Sequence, residues 1–128
     1  MKLEDQLVDR LNIGKSRYGH GVRVDSDTTE WGTSTNSWVE MAREELLDAI
    51  IYIIADYIRN HEDPRVISEP DDNERILEYA NNIEHIKNPL HKLQIWNLTN
   101  LLHSPLFACD WRTVWSYRNH RHIRIQIL

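Results

Sequence analysis

Ser37-Trp38-Val39-Glu40-Met41-Ala42-Arg43-Glu44-Glu45-Leu46-Leu47-Asp48-Ala49-Ile50-Ile51-Tyr52-Ile53-Ile54-Ala55-Asp56-Tyr57-Ile58 is the stretch on which the fold turns. Ser37 and Glu40 form an S-x-x-E capping box, which predicts a helix from Trp38 to about Asn60. At about 100° per residue, Leu46, Ala49, Ile50, Ile53, Ile54 and Tyr57 cover one broad side, and Leu47, Ile51 and Ile58 widen it. A helix so apolar is expected at the centre of its domain rather than on the surface.

The flanking sequence supports an all-α chain. Gly14, Gly19, Gly21 and Gly32 are the only glycines, so the remaining three-quarters has little turn chemistry. Leu3, Leu7 and Leu11 recur every fourth residue, and Gly14 stands where a C-cap would close a first helix over about 2–13. Residues 14–36 show no helical period and read as a long glycine-containing loop with a short extended piece at Val22–Val24. After the central helix, His61 to Asp71 is expected to be a linker. Asp72 then caps a third helix whose apolar positions are Ile76, Leu77, Ala80, Ile83 and Ile86. Pro89 breaks it, and Leu90 to about His103 forms a fourth helix. Beyond Pro105, the alternation in His122-Ile-Arg-Ile-Gln-Ile-Leu128 predicts a short strand or an extended arm. The expectation is one domain over 1–128, with a helical core at about 2–103 and a C-terminal arm at about 104–128.

Composition narrows the classes of function. The 128 residues carry 15 Lys and Arg against 20 Asp and Glu, a formal charge of −5, which argues against general nucleic-acid binding. At 41% hydrophobic and 27% charged residues the chain is too apolar for disorder. A single cysteine, Cys109, excludes an internal disulfide and a Cys-rich zinc site. The longest apolar run, Leu46 to Ile54, is interrupted by Asp48 and is too short to span a membrane. The charged amphipathic start, Met1-Lys-Leu-Glu-Asp, does not read as a signal peptide, so a cytoplasmic location is expected.

Within the central helix, Glu44, Glu45, Asp48, Tyr52 and Asp56 fall in a sector of about 120°. Carboxylates three or four residues apart repel each other, and surface helices usually interleave bases to offset this. Here the four-apart neighbours of Glu44 are Glu40 and Asp48, and Arg43 is the only base between Trp38 and Ile58. Such a cluster suits a cation, and hard oxygen donors without thiols favour Mg²⁺ or Mn²⁺. A solvated acidic face near a helix N-terminus fits the same residues. Glu40 is explained by capping as well as by ligation.

Gly14-Lys-Ser-Arg-Tyr-Gly-His-Gly21 sets Lys15, Arg17, Tyr18 and His20 among three glycines, a composition suited to phosphate. It is not a Walker A loop, because Asp9 occupies the position of the leading glycine. It reads equally as a glycine-punctuated loop with incidental charges. Trp31 and Trp38 flank the polar run that follows and offer rings for a nucleobase, although Trp38 also suits the core. Together the acids and the basic segment suggest metal-assisted chemistry on a polyphosphate. A Nudix box is absent, since Arg43-Glu44-Glu45 lacks the glycines that motif requires.

Arg17-Tyr18-Gly19-His20-Gly21, followed by Trp38-x-Glu40-Met41-x-x-Glu44-Glu45-Leu46-Leu47-Asp48-Ala49-x-x-Tyr52, resembles the phage members of the MazG-like nucleoside triphosphate pyrophosphohydrolases. The similarity runs from Leu7 to about Leu102 and is strongest over 14–58. It implies an all-α homodimer or homotetramer that hydrolyses NTPs or dNTPs to the monophosphate and pyrophosphate with Mg²⁺ or Mn²⁺, two or three ions per site. Glu44-Glu45-x-x-Asp48 matches the family's E-E-x-x-E motif with Asp in the last place. For the family's second motif, E-x-x-D, Glu69-x-x-Asp72 has the spacing, though Pro70 sets it in a loop; Glu78 and Glu84 are the alternatives. The resemblance thus implies Glu44, Glu45, Asp48, Asp72 and Glu40 as metal ligands, with Glu45 or Glu44 as base. It implies Lys15, Arg17, Tyr18 and His20 for phosphate, and Trp31 or Trp38 for the base. It is nearest the branch from phages with 2-aminoadenine DNA, which implies dGTP as substrate and dGMP as precursor of the modified purine; use of dATP as well is the alternative.

Seven histidines, His120-x-His122 in particular, raise zinc, but no third ligand lies nearby in sequence. The arginine-rich tail, with Trp111 and Trp115, reads better as a contact with a partner subunit. Two rivals differ in their products. A non-catalytic helical assembly protein would turn over no nucleotide, and a metal-dependent phosphatase would release orthophosphate.

Overall fold

A computed structural model describes residues 2–62 and 70–108. Among them all regular structure is helical, with no strand. The expected arm at 122–128, His120, His122, Trp111, Trp115, Cys109 and Glu69 lie outside the described residues. No described helix is long and apolar enough to cross a membrane. The chain divides into two compact units, one up to Asn36 and the other from Ser37 onward.

The first unit opens with α1, Leu3–Tyr18. Glu4 and Asp5 in its first turn and Lys15 and Arg17 in its last match the helix dipole. Gly14 does not end this helix. The cap is Gly19, at φ 82°, whose N–H donates to the Lys15 carbonyl at 2.9 Å. The helix passes through Gly14 because an interior glycine costs only about 1 kcal/mol relative to alanine, whereas Gly19 supplies the left-handed residue that closes the last turn.

The following segment is not the uniform loop expected, and Val22–Val24 forms no strand. A 3₁₀ turn runs over Thr28–Trp31, capped by the Asp27 carboxylate, which accepts from Thr29 N–H at 2.9 Å and Thr29 Oγ1 at 2.6 Å. Thr28 and Thr33 are buried, and their hydroxyls meet at 2.8 Å. The Thr33 hydroxyl donates to the Thr35 carbonyl at 2.6 Å, the Thr28 hydroxyl shares its proton between Thr33 Oγ1 and that carbonyl 3.2 Å away, and Thr28 N–H donates to Asn36 Oδ1 at 3.1 Å. Here threonine hydroxyls do for the backbone what a regular ladder would do elsewhere.

The second unit is built on α2, Trp38–His61. Ser37 Oγ accepts from Glu40 N–H at 3.1 Å, as the capping motif predicts. Against α2 pack α3 (Asn73–Asn81), α4 (Pro89–Leu102) and the short α5 (Pro105–Ala108), and a 3₁₀ turn at Ile83–His85 packs against α3 and α4. The third helix ends sooner than its periodicity predicts, because Asn82 leaves helical conformation (φ −136°, ψ 67°). Ile83 and Ile86 therefore reach the core from outside it. Leu77, expected to be apolar-facing, is 59% exposed, and the start of the expected arm is helical at Pro105–Ala108.

The core gathers Ile54, Tyr57, Ile58, Ile86 and Ile95, flanked by Ile50, Ile53, Ile76, Tyr79, Ala80 and Ile83. Each buried isoleucine contributes about 1.5–3 kcal/mol from removal of apolar surface from water. The C-terminal half of α2 holds its buried residues, while Leu47 and Ile51 on the expected apolar side are exposed. Tyr57 is buried with its hydroxyl accepting from Lys87 N–H at 3.1 Å, which ties the turn before α4 to α2.

Candidate functional site

Glu44, Glu45 and Asp48 stand on the N-terminal half of α2, the two glutamates exposed and Asp48 half-buried. Glu44 and Asp48 are one turn apart on one face, and Glu45 is rotated from Glu44 by about 100°. Among the described residues none of these three side chains forms an ion pair or a hydrogen bond. Four other acids of the second unit meet basic side chains. Asp56 meets His91, Glu62 meets Arg75, Asp72 meets Arg75 and Glu84 meets Lys92.

Asp72 lies in a different setting from the stripe. It precedes α3, where its carbonyl accepts from Ile76 N–H at 3.0 Å, and its carboxylate pairs with Arg75 at 3.1 Å. Arg75 also pairs with Glu62 at the far end of α2, and Tyr79 donates its hydroxyl to the same glutamate. Glu62 is fourteen residues beyond Asp48, about 21 Å along a helix. The alternatives are no closer to forming a set. Glu78 is exposed on α3, and Glu84 is paired with Lys92 at 3.0 Å, whose hydrogen bond and charge hold its carboxyl below the usual range. Among the described residues no three His, Cys, Asp or Glu side chains lie close enough together to enclose an ion.

On the first unit, Lys15, Arg17 and Tyr18 occupy the last turn of α1 rather than a glycine loop. His20 follows the cap, its Nδ1 donating to the Gly21 carbonyl at 2.7 Å. Trp31 ends the 3₁₀ turn and Trp38 begins α2, both partly exposed. Glu40 is half-buried in the first turn of α2.

A constellation that the sequence reading missed lies further along the acidic face. A groove of about 320 Å³ runs between α2 and α4, lined by Tyr52, Ile53, Asp56, Leu90, His91 and Gln94. Asn88 caps α4, its Oδ1 accepting from Leu90 N–H and His91 N–H, each at 3.0 Å. Because that atom accepts from two backbone donors it is the amide oxygen, so His91 Nδ1, 2.7 Å away, must donate to it. His91 Nε2 lies 2.6 Å from Asp56 Oδ2, so the ring bridges Asn88 and Asp56. The hydrogen bond from His91 holds the Asp56 carboxyl below the usual aspartate range; the His91 charge, Asn60 and Arg59 act in the same direction. Asp56 Oδ1 accepts from Asn60 Nδ2 at 3.0 Å. Tyr57 packs behind His91 with ring centroids 5.7 Å apart, and His61 meets both rings. The fourth helix expected from Leu90, after the break at Pro89, already places His91 in a first turn, but no spacing rule links it to Asp56.

No family model matches this chain, and neither a curated protein nor a solved structure matches it.

Proposed function

We propose that this chain is a metal-dependent nucleoside triphosphate pyrophosphohydrolase that converts a purine deoxynucleotide, dGTP first, to dGMP and pyrophosphate. The observation that carries the reading is the set of three carboxylates, Glu44, Glu45 and Asp48, left without a cationic partner on the helix that holds the core. Hard oxygen donors at this spacing fit Mg²⁺ or Mn²⁺, with water and substrate oxygens completing the coordination that the helix alone does not enclose. When bound, such an ion lowers the pKa of water and offsets phosphate charge. Glu44 and Asp48 would hold it. Glu45, turned from them, takes a proton from the attacking water as its oxygen joins the α-phosphorus and the bond to the bridging oxygen breaks. Lys15 and Arg17 offer charge, and Tyr18 and His20 hydrogen-bonding groups, of the kind phosphate oxygens require. Glu40, one turn before Glu44 on α2, stands as a further ligand in this reading, whereas Asp72, paired with Arg75 near the far end of α2, does not. Trp31 and Trp38 are the rings that the resemblance gives for the base. In this reading the reaction takes place in the cytoplasm of a phage host and supplies precursor for 2-aminoadenine nucleotides.

A survey of the common NTPs and dNTPs with Mg²⁺ or Mn²⁺, scoring nucleotide and inorganic products together, tests this reading. The expected result is dGMP with pyrophosphate, and a loss of at least about a hundredfold in Glu44→Gln. Orthophosphate release, or no turnover by folded protein, overturns it. Exposed Leu93 and Trp96 on α4 favour self-association as a homodimer or homotetramer, which sedimentation reads directly.

A further inference from the structure

The groove between α2 and α4 has the chemistry of a planar, amine-bearing ring site. One end offers Tyr52, 67% exposed, and Leu90, 72% exposed, two apolar faces on opposite helices. Its wall offers the Asp56 carboxylate, 57% exposed, which as an ionised group only accepts hydrogen bonds. One lone-pair position on each Asp56 oxygen is taken, by His91 and by Asn60, so two remain for a ligand. Both ring nitrogens of His91 are engaged by protein groups, Asn88 and Asp56, so neither is available to a ligand. Its work is to fix the carboxylate. Gln94 on the opposite wall carries an exposed amide able to donate or accept.

We infer that this groove receives the nucleobase and that Asp56 selects guanine over adenine. Guanine presents a ring N–H beside an amino group, two adjacent donors that a carboxylate accepts in a fork. Adenine presents a bare ring nitrogen beside its amino group, and that lone pair faces the carboxylate unfavourably. The guanine carbonyl next to the ring N–H takes a donor, which the Gln94 amide supplies, and Tyr52 supplies a stacking face. Asp48 and Asp56 lie within one sector of α2, eight residues or about 12 Å apart along the helix, a span that a nucleoside monophosphate bridges from base edge to phosphate. The inference rests on the pyrophosphohydrolase reading only for its choice of a nucleotide as occupant. It assigns the base to residues other than Trp31 and Trp38.

An NMR titration of the full chain with dGMP, dIMP and dAMP, without metal, separates the two readings. The expected order is dGMP tighter than dIMP, which lacks the amino group, and dIMP tighter than dAMP, with about tenfold between the extremes. The preference for dGMP over dAMP is expected to vanish in Asp56→Asn, and all three ligands to weaken in Tyr52→Leu. Equal binding of dGMP and dAMP by the wild type, or a preserved preference in folded Asp56→Asn, overturns the inference. If Asp56→Asn does not fold, unchanged dGMP affinity in both Tyr52→Leu and Gln94→Leu overturns it instead. Selective dGMP binding without turnover of any triphosphate would leave the groove assigned and sink the pyrophosphohydrolase. Turnover with no base preference would do the reverse.

Discussion

Gly14 and Gly19 show how one residue type takes two roles within a single helix. An added Cβ meets nothing within 4 Å at either, so backbone conformation alone separates them. Gly14→Ala is expected to stabilise α1 by about 0.5–1 kcal/mol through reduced freedom of the unfolded chain. Gly19→Ala, forced to the left-handed φ of 82°, is expected to cost about 1–2 kcal/mol. Helix content by circular dichroism under mild denaturant reads both, and a gain at Gly19 would contradict the assigned cap. In sequence the two glycines look alike, each after a leucine-spaced run and near basic residues. The choice between them was not legible because it depends on a cost spread over sixteen residues rather than on any one. The missing counter-charges of Glu44, Glu45 and Asp48 were legible because they are a property of a single helix. The Asp56–His91 pair was not, since it exists only once α4 lies against α2.

At the scale of elements, α2 and α4 carry the packing between them. Ile54 and Ile95 are essentially inaccessible, so Ile54→Ala or Ile95→Ala is expected to cost about 2–5 kcal/mol. Ile51→Ala, at a position 43% exposed on the same helix, is expected to cost about 0.5 kcal/mol beyond any change in helix propensity. Urea unfolding of the three variants checks this, and similar losses at Ile51 and Ile54 would contradict the burial pattern. The wheel predicted a continuous apolar side from Leu46 to Tyr57, and the structure buries chiefly its C-terminal half. Periodicity reports which residues share a face. It does not report how far along that face the neighbouring helices reach. The early end of α3 has a similar origin, because its apolar spacing continues to Ile83 and Ile86 although the backbone departs at Asn82.

For the molecule as a whole, acid stability follows from carboxylates engaged in the native state. Asp56, held low by His91, Glu84, held low by Lys92, and Asp27, held low by the hydroxyl and N–H of Thr29, all titrate below their usual range. In the unfolded chain these groups take up protons near pH 4, whereas the folded chain keeps them ionised lower. Their contribution is therefore present in full above about pH 4 and is lost as the pH falls through the lower folded values. The urea midpoint is expected to drop between pH 5 and pH 3, and to drop less in Asp56→Asn. An equal drop in that variant would mean that the pair with His91 adds nothing to acid stability.

The threonine turn and the groove also differ in when they can form. Every hydrogen bond described in the first begins and ends between Asp27 and Asn36, a span whose ends meet on a timescale of about 10–100 ns. The groove brings together Asp56 and His91, thirty-five residues apart, after two helices have docked. A nascent chain thus shapes its Asp27–Asn36 segment almost as soon as those residues emerge. It gains the α2–α4 groove only when synthesis has passed α4, so unfinished chains cannot sequester whatever ligand that groove holds.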